Sequence, residues 1–194
     1  MLKSTILKST YEEIYRRWDE HTPVPFDCGK ICGAACCVTD GGQTMGIYLL
    51  PGEEKVHDKK DPWLTWSMDE AQDYDFPEAW RGKVPFVACQ GPAHCKREKR
   101  PIQCRTFPLR PYLTREDELI MLYDEEALPY ACPLIENEVA LDEGFIRACY
   151  ENWRILISDP LIRDIVKMDS EGLAEVTMVP LPVQAERRED ADRF

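Results

Sequence analysis

Positive charge is scarce in this sequence. Against 36 Asp and Glu there are 24 Lys and Arg, a formal net charge of −12, so a general nucleic-acid binder or a protein of anionic membranes is not expected, because phosphate contacts need a basic surface. Long apolar runs are also missing. No segment approaches the roughly 20 apolar residues of a membrane span, and the opening MLKSTILKSTYEEIYRR has neither the apolar core nor the cleavage site of a signal peptide. The expectation is a soluble cytoplasmic protein whose thiols stay reduced. Histidine is sparse, at three residues, and none sits in a nucleophile motif, which argues against a Ser-His-Asp hydrolase. A glycine-rich GxGxxG nucleotide loop, internal repeats and low-complexity tracts are absent too.

Cysteine, by contrast, is plentiful. Four of the nine lie within CGKICGAACC, residues 28–37, two of them adjacent; three more lie in CQGPAHCKREKRPIQC and one in YACPL. Small residues in the first segment let the backbone wrap closely around a bound group. Disulfides are the usual reason for such density in small secreted chains that lack a core. With 194 residues and 44% hydrophobic content, this chain can bury a core without staples. Metal is the better explanation. Cys149 sets itself apart, because in DEGFIRACYENWRILI it falls on the apolar stripe with Phe145, Ile146, Trp153, Leu156 and Ile157.

Eight candidates remain: Cys28, Cys32, Cys36, Cys37, Cys89, Cys95, Cys104 and Cys132. Eight thiolates fill two four-coordinate sites, or one larger cluster plus a site. In an extended chain Cys36 and Cys37 would point to opposite sides, and so serve different metals or bridge a binuclear centre. Seven basic residues, Lys96, Arg97, Lys99, Arg100, Arg105, Arg110 and Arg115, lie around the second group with one acid, Glu98. They would offset the surplus charge of metal-bound thiolates, with Arg105 beside Cys104 the first choice of sulfur donor; Lys96, Arg97 and Lys99 read equally well as solvated charge, and a protein partner or anionic ligand on residues 96–115 is a further use of the patch. His94 abuts Cys95 and is a weaker candidate for a Cys₃His site; His21 and His57 read as surface residues. Glu53 with Glu54, and Asp124 with Glu125 and Glu126, read as solvated charge.

The remaining pattern predicts an α+β fold, mainly helical, around a small irregular cysteine-rich metal-binding core with a short β-hairpin. TYEEIYRRWDE reads as a helix with Thr10 and Glu13 at capping-box spacing and Tyr11, Ile14, Tyr15 and Trp18 on one face. MGIYLL and VPFVAC read as strands, and Pro51 opens a helix turn. Asp61 before Pro62 resembles a helix N-cap, and Trp63, Trp66 and Trp80 read as packing residues. TFPLRPYL, TRED and ELIMLY form the hairpin. The helix containing Cys149 is followed by a second, DPLIRDIVKMDSE, stopped by Gly172, then a strand in VTMVPLPV. Residues 1–183 are expected to form one domain, with the metal-binding region at 28–132 and a helical part at 142–172; 184–194 is a polar tail expected to be disordered.

CGKICGAACC, LLPGE, RPIQCRTFPL and CPL together resemble the YkgJ-type cysteine-cluster proteins, described as zinc- or iron-chelating domains with eight cysteines. The resemblance runs from about Cys28 to Cys132, with RPxxCRxFPL its most specific part, and it implies the same eight ligands. Three residues separate Cys28 from Cys32, and Cys32 from Cys36, where the family label suggests two. Flagellin lysine N-methylase has a similar cysteine pattern. The expected function is therefore metal binding, of zinc or iron or an iron–sulfur cluster, in a structural or redox role. The alternative is an iron–sulfur-dependent enzyme such as a lysine methyltransferase. Thiolate-rich sites accept zinc, iron clusters and copper(I) alike.

Overall fold

Three amphipathic helices carry the core. Helix α1, Lys8–Asp19, buries Tyr11, Ile14, Tyr15 and Trp18, one turn apart on a single face. It begins earlier than the capping-box spacing predicts. Its N-cap is Leu7, with no side-chain cap, and Thr10 lies inside the helix. Helix α5, Glu143–Leu156, starts at Asp142, whose carboxylate accepts from Phe145 N at 2.8 Å. Helix α6, Pro160–Gly172, starts at Asp159, with Pro in its first turn and Leu161 N and Ile162 N donating to the capping oxygen. The other oxygen of Asp159 accepts from Ser4 Oγ, Thr5 N and Thr5 Oγ1. One buried side chain thus caps a helix and ties down the N-terminal segment.

The computed structural model describes residues 2–38, 46–124, 130–136 and 139–173. The predicted strand in VTMVPLPV and the polar tail lie outside them. Among the described residues there are also three single-turn α-helices, α2 (Gly29–Cys32), α3 (Ile102–Thr106) and α4 (Pro133–Glu136). Each carries or directly follows a candidate cysteine.

Strands β1 (Gly46–Tyr48), β2 (Leu64–Glu70) and β3 (Lys83–Cys89) form an antiparallel sheet in the order β1-β3-β2. Strands β4 (Leu109–Leu113) and β5 (Leu119–Tyr123) form the predicted hairpin, from Leu109 opposite Tyr123 to Leu113 opposite Leu119. The hairpin docks on α6 through Leu113 N, which donates to Ser170 Oγ at 2.9 Å. Among the described residues no helix is long and apolar enough to cross a membrane.

The segment after Asp61 is a strand, not the helix that an Asp-Pro pair suggests. Leu64, Trp66 and Met68 alternate with Thr65, Ser67 and Asp69, a period of two, and the Asp61 carboxylate is engaged by Lys96 and Lys99 instead of a helix start. The helix turn expected after Pro51 is present as a 3-10 helix over Glu53–Val56; Glu53 N donates to Leu50 O in the turn that leads into it, where Gly52 has φ +90° and a Cβ would stand 2.8 Å from Ser4 Cβ.

One cluster of buried side chains joins the three long helices to the hairpin, with Trp18, Ile102, Met121, Phe145, Trp153 and Ile162 at its centre. A second, smaller cluster consists of Leu49, Trp63, Leu64 and Val87, with Cys89 and Cys95 packed against it. Trp63 and Trp80 are buried as expected, and Trp66 is half-buried. The arrangement is α+β, with more helix than strand.

Candidate functional site

The first cysteine segment is a pair of tight turns set back to back. Helix α2 places Cys32 one turn after Cys28; Gly33 (φ 64°) and Ala34 (φ 58°) then reverse the chain, and a 3-10 turn over Ala35–Cys37 follows at once. Ala34 N donates to Gly29 O and Cys37 N to Ala34 O, both at 2.8 Å. The chain at Cys36 and Cys37 is therefore not extended, the condition under which the two would point to opposite sides. Their sulfurs lie 3.7 Å apart, close to the edge of about 3.8 Å in a tetrahedron with zinc–sulfur bonds of about 2.3 Å.

The second segment is held from two sides. Strand β3 delivers Cys89, a 3-10 turn over Pro92–His94 leads to Cys95, and α3 carries Cys104. The loop between them is clamped by Asp61, which takes Lys96 Nζ at 2.8 Å and Lys99 Nζ at 2.5 Å. These ion pairs hold the Asp61 carboxyl down at about 2. Helix α3 is seated on Glu53, a side chain with no exposed surface that accepts from Ile102 N at 2.8 Å, Leu50 N at 2.9 Å and Tyr15 Oη at 2.6 Å. Tyr15 Oη also lies 2.8 Å from His57 Nε2.

Several residues read as solvated are therefore interior. Glu53 and Glu54 are both buried, and the His57 side chain is only 3% exposed. Glu125 and Glu126 lie outside the described residues; Asp124 pairs with Arg110 at 3.3 Å. His94 is exposed and borders neither cavity described below.

All eight candidate thiols border two adjoining cavities. The larger, of about 300 Å³, is lined by Cys28, Cys36, Cys37, Cys89, Cys95 and Cys104. The smaller, of about 30 Å³, is lined by Cys28, Cys32, Cys36 and Cys132. Cys28 and Cys36 stand at both. The ninth cysteine, Cys149, borders neither; it is fully buried and accepts from Trp18 Nε1 at 3.4 Å. No cysteine is in a disulfide. The sulfurs ring the cavities without converging, and among the described residues no group of three or more His, Cys, Asp or Glu is gathered tightly enough to hold an ion. The compact metal-binding core expected from the sequence is thus not shown.

Arginine, tryptophan and aromatic side chains complete the larger cavity. Trp18, His21, Trp63, Phe107, Tyr130, Arg97, Arg100 and Arg105 border it; the three arginines belong to the basic group that the sequence sets around the second cysteines, whereas the aromatic residues and His21 are not apparent as site residues from the sequence alone. The sulfur donor is Arg100, whose Nε lies 3.0 Å from Cys95 Sγ. Arg105, despite its place beside Cys104, turns to Asp19 at 2.8 Å, to the carbonyls of Arg100 and Tyr15, and to the Tyr15 ring face.

Burial and crowding keep most of these thiols protonated. Cys28 and Cys132 are pushed up mainly by burial, with Cys32 adding to both. Cys95 is pushed up by burial, partly offset by Arg100. Cys104, an exposed residue on the cavity wall, rises to about 12 through desolvation and the neighbouring Cys37, Cys89 and Cys95. Cys36 and Cys37 share a proton, Cys36 being raised as donor and Cys37 lowered as acceptor.

No family model, curated protein or solved structure matches this chain.

Proposed function

We propose that this chain is a metal-binding protein of the YkgJ cysteine-cluster type, holding zinc or iron in two groups of four thiolates, in a structural or redox role. Cys28, Cys32, Cys36 and Cys132 make one group; Cys37, Cys89, Cys95 and Cys104 make the other. One observation carries the reading. The eight cysteines singled out by spacing, from segments far apart in the chain, border two adjoining cavities, while the ninth does not. The donor chemistry fits as well: thiols free of disulfides and an arginine N–H on one sulfur.

A bound ion would supply cross-linking between the segments, and redox capacity if it is iron. Four protein thiolates per ion leave no open position, which favours structural or redox use over Lewis-acid catalysis. The chain's own part is to release protons. Thiols pushed above their ordinary range stay neutral in the metal-free protein, so metal uptake ejects protons and weakens as pH falls. Arg97, Arg100 and Arg105 serve as counter-charge to the thiolates. A cytoplasmic location, where thiols stay reduced, goes with this reading.

Anaerobic purification followed by elemental analysis and thiol counting tests this. At least two bound metal equivalents per chain are expected, with the eight thiols resistant to alkylation until a chelator is added. A chain that takes up neither zinc nor iron, with thiols alkylated at the same rate whether or not metal is supplied, overturns the proposal.

A further inference from the structure

Strand β2 forms one edge of the sheet, whose order is β1-β3-β2. Its pairing with β3 decides which of its backbone groups are already engaged. Just beyond the two ends of the strand, Gln90 N donates to Trp63 O and Ala71 N to Gly82 O, and in an antiparallel pair alternate residues exchange both bonds with the neighbouring strand. Thr65, Ser67 and Asp69 therefore turn their N–H and C=O groups to β3, opposite Ala88, Phe86 and Val84. Trp66 and Met68 turn theirs outward. Among the described residues no backbone hydrogen bond reaches Trp66 or Met68 from that side. Sheet edges are commonly blunted by shortness, proline or lysine. The opposite edge follows that rule, since β1 has three residues; β2 has seven, LTWSMDE, with neither proline nor lysine among them. Met68 is 37% exposed, and Thr65 and Ser67 are exposed on the other face.

The charges along this edge are sorted by end. Exposed Lys59 and Lys60 precede the strand; Asp69 and Glu70 close it, and exposed Asp73, Asp75 and Glu78 follow. Glu70 is paired with Lys83 at 3.7 Å and Glu78 with Arg81 at 3.0 Å. A strand that is basic at one end and acidic at the other is complementary to a copy of itself run antiparallel. We propose that β2 pairs with the β2 of a second copy of this chain about a two-fold axis at Ser67, joining the two sheets into one. This goes beyond the metal-binding reading and does not depend on it. Trp66 N–H donates to the C=O of the partner's Met68, and Met68 N–H to the C=O of the partner's Trp66, with the same bonds repeated by symmetry. Met68, exposed in the single chain, comes to stand across from the partner's Trp66, a thioether beside an indole. Lys59, whose Nζ lies 5.5 Å from the Trp66 ring centre, and Lys60 come level with the acidic end of the partner strand. The net charge of −12 per copy opposes association at a distance but is screened beyond about 8 Å at physiological ionic strength, whereas these pairs act in contact. A joint made by one strand is smaller than a permanent interface, so the dimer is weak and concentration-dependent.

Sedimentation of the full chain over a concentration series tests this, with protein purified anaerobically and kept with a thiol reductant so that cystine links are excluded. A monomer–dimer equilibrium is expected, and the Trp66 and Met68 amides should exchange with deuterium more slowly at high protein concentration than at low. Ser67→Lys sets like charges against each other at the axis and should weaken association about tenfold or more, with the melting temperature of the dilute protein unchanged because Ser67 is exposed. Lys59→Glu with Lys60→Glu in one chain, and Asp73→Lys with Asp75→Lys in another, should each remove dimers when alone and restore them when the two variant chains are mixed. A chain that stays monomeric up to about millimolar concentration overturns the proposal. So does a dimer that Ser67→Lys leaves unweakened, or one in which the Trp66 and Met68 amides exchange alike at both concentrations. Metal content is read separately by elemental analysis, so failure here leaves the metal-binding reading standing.

Discussion

Glu53 holds together three parts of the molecule. Its carboxyl group accepts from the loop at Leu50, from α1 through Tyr15 and from the first residue of α3, with no exposed surface. Glu53→Ala leaves those donors unpaired and opens a void, at a cost of about 3 kcal/mol or more. Denaturant unfolding should show that loss, together with weaker metal retention because α3 carries Cys104; a change below about 1 kcal/mol would contradict the assignment. Cys149 provides the opposite case. Cys149→Ala removes a small buried side chain and one hydrogen bond from Trp18, so a cost of about 1 kcal/mol is expected, with metal content unchanged by elemental analysis. Loss of an equivalent of metal in that variant would show that the division of the nine cysteines is wrong. Nothing in sequence spacing separates Glu53 from a solvated carboxylate, since burial there depends on Tyr15 and Ile102 arriving from 38 and 49 residues away. For Cys149 the helical period does separate it.

Legibility at the scale of elements follows the range of the forces. Helices α1, α5 and α6 are readable because their apolar faces and the caps at Asp142 and Asp159 are local. The hairpin β4–β5 is readable for the same reason. Strand β2 is misread as a helix start because Asp61 before Pro62 matches a cap, while its carboxylate is claimed by Lys96 and Lys99, 35 and 38 residues on. That clamp makes a pH-dependent contribution. The Asp61 carboxyl titrates near 2 in the folded protein, below its ordinary value of 3.8, so its contribution is complete above about pH 4 and disappears as pH falls through about 2. The stability gap between the wild type and Asp61→Asn, from melts at a series of pH values, should be constant near neutrality and narrow below pH 4. A gap that stays level down to pH 2, or widens, would contradict the ion-pair account.

At the scale of the whole molecule, the first cysteine segment has no core of its own. It is built from one-turn elements without a single buried side chain, and its sulfurs meet those of β3, α3 and the Cys132 turn only across cavities. That grouping is invisible in spacing, which singles out the eight cysteines but not which cavity each of them borders. Structural zinc contributes roughly 10 to 16 kcal/mol of apparent binding free energy, against about 5 to 15 kcal/mol for the net stability of a domain. The long helices and hairpin share a contiguous buried core and should survive metal removal better than the cysteine segments. The most direct measurement is metal and sulfide analysis of anaerobically purified protein, paired with thermal melts before and after chelation. Two centres per chain and a large drop in melting temperature on verified removal are expected. A protein that comes metal-free, binds none on reconstitution and melts identically with or without chelator would contradict it.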